Sequence, residues 1–177
     1  MILAQLLLLG TAYQPPAKLP DVGAKAAPFE ARTIGGENLK FPGSFKGKIV
    51  LLDFWATWCQ PCLMDMPNVV EAYEEHHKDG FEILSVSLDD ETTVAKIPTT
   101  IKQHKMTWQQ VCDERGWDSP IAKLYGVKTL PTAFIVDGDT GEVLATRLSL
   151  LREGKWRGAG LAQFIEQALK DKKAKKL

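Results

Sequence analysis

From Ile49 the chain runs Ile-Val-Leu-Leu and, past Asp53, Phe54 and Trp55, with apolar residues at odd and even positions alike. A run without alternation predicts a strand covered on both faces, as central parallel strands are. Asp53 is its only polar member. Beyond Trp58, Cys59, Gln60, Pro61 and Cys62 the period changes, and Met66, Val69, Val70 and Tyr73 recur at helical spacing. They predict a helix to about His77, kinked at Pro67, where the ring removes a backbone bond and clashes with the preceding turn. Met64 and Met66 read as core filler in it.

Phe81 to Leu88 predicts a second strand, and Thr92 or Thr93 the start of a helix to about Lys105. Trp108 to Asp113 reads as a short strand, and Trp117 to Tyr125 as a helix stopped by Gly126. Thr132 to Asp137 and Glu142 to Thr146 flank Gly138-Asp139-Thr140-Gly141, the pattern of an antiparallel hairpin. Leu161, Phe164, Ile165, Ala168 and Leu169 give a closing helix one apolar face. Ahead of all this, Pro28 to Thr33 and Leu39 to Phe41 flank Gly35-Gly36-Glu37-Asn38 and read as a further hairpin. The whole is α/β.

The ends read differently. Residues 1–12 are apolar and uncharged but shorter than a membrane span, with Gly10 and Ala12 suited to cleavage after Ala12, so they predict a secretory signal or short anchor. Residues 13–21, with Pro15, Pro16 and Pro20, read as an extended linker. Residues 22–169 form the packed domain, and residues 170–177, with five lysines, a solvated and frayed tail.

At 177 residues one domain can bury a core without disulfide staples, and 22 basic against 22 acidic residues give no global attraction for nucleic acid. Of three cysteines, Cys112 reads as a small buried hydrophobe. Cys59 and Cys62 are the chemistry. Three apart at a helix start, they lie close enough to join, while free N–H groups and the helix dipole favour a thiolate on the first. Pro61 fits the first turn, where a missing N–H costs nothing. A metal site would need four ligands, and Cys112, His76, His77 and His104 show no ligand spacing.

Phe54-Trp55-Ala56-Thr57-Trp58-Cys59-Gln60-Pro61-Cys62, with the distant Leu130-Pro131-Thr132, resembles the thioredoxin superfamily signature, and the segment from Val22 to Lys48 resembles its TlpA/ResA-like branch. The resemblance implies a thioredoxin fold, a central mixed β-sheet flanked by helices, with an added N-terminal β-hairpin. It implies a thiol–disulfide oxidoreductase acting on disulfide-bearing proteins of the periplasm or cell envelope, cytochrome c maturation among its settings. A membrane-embedded thiol relay would supply electrons. No cofactor is called for.

Carried over residue by residue, Cys59 is the exposed attacking thiolate, Cys62 resolves the mixed disulfide, and Gln60 and Pro61 separate them. Pro131 takes the place of a cis-proline facing the dithiol, with the Leu130 backbone free to pair with substrate. Trp58 shields one side of the dithiol. A buried, unpaired carboxylate costs several kcal/mol, so the pKa of Asp53 should rise towards neutrality, as a proton acceptor requires. Asp53 paired to a lysine is the structural alternative. Asp90 is the candidate for an acid near the dithiol, or simply a helix-start charge. Two other functions fit less well: a peroxiredoxin-like peroxidase with Thr57 in its pocket, and a docking module without turnover.

Overall fold

The computed structural model describes residues 18–175, so the predicted signal or anchor and most of the linker lie outside the described residues. The elements are β1 (Phe29–Arg32), β2 (Asn38–Phe41), β3 (Ile49–Trp55), α1 (Gln60–His76), β4 (Phe81–Ser87), α2 (Ile97–Gln103) and β5 (Gln109–Cys112). Then follow α3 (Pro120–Leu124), β6 (Thr132–Asp137), β7 (Val143–Thr146), α4 (Arg147–Arg152) and α5 (Gly160–Ala174). Strands β5, β4, β3, β6 and β7 form one sheet in that order. The β3–β4 and β4–β5 pairs are parallel, and β6 and β7 run antiparallel. Every residue of β3 is buried, as its unbroken apolar run requires.

Strands β1 and β2 form a separate antiparallel pair that packs by its aromatic residues. Phe29 stacks on Phe41 and meets Tyr125 edge-on, and Tyr125 packs in turn on Phe54 and Phe134 of the central strands. The Tyr125 hydroxyl donates to the Ala27 carbonyl at 2.7 Å, which ties the hairpin's approach to the core. Gly138 closes the opposite end. A Cβ there would overlap the carbonyl oxygen of Phe45, so the turn after β6 admits only glycine.

Several elements differ from the sequence pattern, and proline explains two of them. The predicted helix from Thr92 or Thr93 is a 3₁₀ turn (Val94–Lys96) followed by α2, whose first turn holds Pro98. The predicted helix from Trp117 likewise splits into a 3₁₀ turn (Gly116–Asp118) and α3, opened by Pro120. In each case the proline fixes the helical first turn, where its missing N–H costs nothing. Helix α4 was not predicted. A capping box starts it, with the Thr146 side chain accepting from the Ser149 backbone and Ser149 reaching back to Thr146.

Helix α5 runs on to Ala174, so most of the lysine-rich stretch is helical and not frayed. Lys172 is buried, pairing with Asp137 at 2.8 Å and Asp139 at 2.6 Å. Of the two methionines read as core, Met66 is 2% exposed but Met64 is 67% exposed. Their separation by two residues places them on different sides of a helix.

Candidate active site

The loop between β3 and α1 is held from beneath by the end of β4. The Leu88 backbone donates to the Trp55 carbonyl at 2.8 Å. The fully buried Asp89 carboxylate then accepts from the Thr57 backbone at 2.9 Å, the Thr57 hydroxyl at 2.5 Å and the Ser87 hydroxyl at 2.6 Å. Cys59 is the N-cap of α1, its sulfur accepting from the Cys62 backbone at 3.3 Å, and Pro61 occupies the first turn. Cys59 and Cys62 are joined as a disulfide, their Cα atoms 5.3 Å apart. The exposure expected of Cys59 is not found in this oxidised arrangement, where it is 4% exposed. Trp58 is exposed beside it, its ring 6.0 Å from that of Trp117.

The Leu130–Pro131 peptide bond is cis. Phe54 and Thr132 are the last pair of the β3–β6 register, so Trp55 and Pro131 are the residues just beyond it on the two chains. Antiparallel pairing thereby brings the proline from 72 residues away to the mouth of the cysteine loop.

Asp53 is 6% exposed. The Trp108 indole donates to the Ser85 hydroxyl at 2.8 Å, and that hydroxyl donates weakly to Asp53 at 3.4 Å. Burial pushes the Asp53 carboxyl up to about 7, against the opposing pull of Ser85 and of the Arg147 guanidinium. Its hydrogen-bond partner is a serine rather than the lysine of the structural alternative.

A third buried carboxylate was not singled out in the sequence. Asp65, one helical turn past Cys62, accepts from Arg147 Nε at 2.8 Å, from Arg147 Nη2 and from Trp156 Nε1 at 2.9 Å. The guanidinium also lies 5.5 Å from the centre of the Trp156 ring. No local pattern marks Asp65, because its partners lie 82 and 91 residues along the chain. Asp90 fits the second of its two readings, a charge at a helix start, its carbonyl accepting from the Val94 backbone at 2.8 Å. Asp90 is exposed and engaged by Thr92 and Thr93, and its buried neighbour Asp89 holds the cysteine loop.

Cys112, expected to be buried, is only half-buried. It donates to the Asp89 carbonyl at 3.6 Å, and burial pushes its thiol up, away from thiolate chemistry. Among the described residues no cluster of three or more His, Cys, Asp or Glu side chains could hold a metal ion. Nor is any helix among them long and apolar enough to cross a membrane.

Residues 22–145 match the AhpC/TSA family. The chain belongs to the AhpC/TSA family. Among similar proteins, the thiol-disulfide oxidoreductase ResA of Bacillus thuringiensis subsp. konkukian is 36% identical over 124 residues, covering 70% of this chain and 68% of that protein. The sporulation thiol-disulfide oxidoreductase A of Bacillus subtilis is 31% identical over 147 residues, 81% of this chain and 86% of that protein. A solved structure of a thiol-disulfide oxidoreductase from Bacteroides fragilis superposes with a TM-score of 0.68 at 29% identity, covering 82% of this chain and 99% of the other. This AhpC/TSA-family chain is accordingly a thiol–disulfide oxidoreductase with a thioredoxin-like fold.

Proposed function

We propose that the protein reduces disulfides of exported proteins, with Cys59 as the attacking thiolate and Cys62 as the resolving thiol. The observation that carries this reading is the Cys59–Cys62 disulfide at the start of α1, where the Cys59 sulfur faces the Cys62 backbone N–H. Backbone N–H groups at that position favour negative charge on the first sulfur. In the reduced protein Cys59 attacks one sulfur of the substrate disulfide and expels the other as a thiolate, forming a mixed disulfide. Cys62 then attacks the Cys59 sulfur, releasing the second substrate thiolate and leaving the Cys59–Cys62 disulfide. Two electrons pass from the dithiol to the substrate.

Asp53 takes the Cys62 proton, directly or through a water. With its carboxyl pushed up to about 7, it both accepts and releases a proton near neutral pH. Trp58, Leu130 and Pro131 form the surface on which the substrate lies, its extended chain pairing with the Leu130 backbone. Gln60 and Pro61, an inner pair without histidine, favour the reducing direction. Membrane-embedded thiols restore the dithiol, and disulfides of proteins in cytochrome c maturation are among the substrates that fit.

The test is the equilibrium reduction potential of the Cys59–Cys62 pair against glutathione, followed by tryptophan fluorescence. A value near about −230 mV or lower supports a reductase, whereas one above about −150 mV makes the protein a disulfide donor. If no reversible disulfide forms, dithiol exchange fails and a docking module replaces it.

A further inference from the structure

The chain before the hairpin does more than link. Gly23 and Ala26 donate to the Val143 and Gly141 carbonyls, both at 2.8 Å, and Val143 donates back to Ala24 at 2.9 Å. The segment is thus stitched to the start of β7 and the turn before it, on the strand whose end runs into α4. The Ala24 backbone donates to the Asp21 carbonyl at 3.1 Å, and Gly23 has φ +85. This left-handed turn, open to glycine, swings residues 19–21 towards the loop that holds Pro131. There Leu19 and Pro20 line a cavity of about 280 Å³ with Pro131, Phe134, Arg147 and Leu148.

We propose that this cavity is a specificity pocket for a large apolar side chain next to the cysteine of the substrate polypeptide, with Leu19 of the N-terminal segment as one wall and Leu148 of α4 as the other. The inference rests on the proposed function, in which the substrate chain pairs beside Pro131. Continuity with that groove is one argument, since Pro131 belongs to both. Size is another: the cavity lies at the lower limit of pockets for small ligands, which suits one or two side chains. Charge is the third. Asp21 is engaged by Lys18 at 2.8 Å and Arg147 by Asp65, so a charged side chain entering the cavity would compete with pairs already made. Leu19 and Leu148 are 42% and 57% exposed, apolar surface that an incoming side chain would cover.

The experiment uses the full chain, pre-reduced, in single-turnover reactions followed by tryptophan fluorescence. Two peptides serve as probes, each closed by one internal disulfide and alike except that leucine or asparagine flanks the reactive cysteine. The wild type should reduce the leucine peptide about tenfold faster, the return expected from partly burying one such side chain. Leu19→Asn should bring that ratio close to one, and Leu19→Met should restore most of it. Ile34→Asn, at a similarly exposed apolar residue on the hairpin, should leave the ratio as in the wild type. The pocket is overturned if the wild type does not distinguish the peptides, or if Leu19→Asn keeps the preference. Reduction of hydroxyethyl disulfide by the wild type separates the two failures, because a protein that reduces neither peptide nor this small disulfide has lost the proposed function itself.

Discussion

Asp89 holds Thr57 by two hydrogen bonds, from the backbone at 2.9 Å and from the hydroxyl at 2.5 Å. The first residue lies just beyond β4 and the second just before the Trp58-Cys59 step, so one buried carboxylate sets the height of the cysteine loop over the sheet. Asp89→Ala would leave the Thr57 N–H and the Ser87 hydroxyl without this acceptor. The expected loss is about 2–4 kcal/mol in guanidinium unfolding, with disulfide reduction slowed roughly tenfold as the loop loses its register. Thr57→Val removes only the hydroxyl bond and should cost about 1 kcal/mol.

Asp53 predicts a pH dependence. Its carboxyl ordinarily titrates near 3.8 and is pushed up to about 7 in the fold. Between those values the folded state keeps a proton that the unfolded chain releases, so stability falls as pH rises. At about 1.4 kcal/mol per pH unit the fall reaches up to about 4 kcal/mol by pH 7, then levels off. Asp53→Asn should flatten that part of the stability profile and be the more stable protein at pH 8. In single-turnover kinetics the same variant should lose the rise in resolving rate near pH 7 that the wild type displays. A wild-type profile flat from pH 4 to 7 would show that Asp53 does not titrate there.

The two cysteines should be distinguishable by trapping. Cys62→Ser should accumulate a mixed disulfide between Cys59 and a peptide substrate, visible as an added mass by mass spectrometry, because the resolving thiol is gone. Cys59→Ser should accumulate far less, since the sulfur at the start of α1 is absent. The reverse pattern would exchange their roles.

Lys172 reaches down from α5 to Asp137 and Asp139. Burial works against the charged form of Asp137, but the hydrogen bonds from Lys172 and from the backbone of Thr140 and Asp139 hold its carboxyl below the usual range. That stabilisation is present above the ordinary carboxylate pKa and is lost as pH falls through the lowered one. Lys172→Met should therefore destabilise by about 2–3 kcal/mol at pH 7, and by less at pH 3, as the Asp137 carboxylate begins to take up its proton. Thermal unfolding at the two pH values measures the difference.

The central strand, the cysteine pair and the returning hairpin of β6 and β7 were legible because each rests on a contiguous pattern. An apolar run, a CxxC step and a Gly-Asp-Thr-Gly turn need no distant partner to be recognised. Helix starts were less legible where Pro98 and Pro120 outrank threonine and tryptophan as boundary signals, and α4 was missed because a six-residue helix carries too short a period to read. The lysine-rich end misled for a different reason. Lys172 looks like its solvated neighbours in sequence and differs from them only by what lies beneath it.

By itself the sequence determined the α/β order, the buried strand with a carboxylate in it and the dithiol at a helix start, since periodicity, capping and cysteine spacing act over a few residues. Which of two adjacent aspartates supports the loop, how Asp65 finds Arg147 and Trp156, and where the segment at Leu19 comes to rest were decided by the tertiary structure. Those pairings join residues tens of positions apart, and burial, which fixes their protonation and their strength, exists only once the sheet and helices have closed around them.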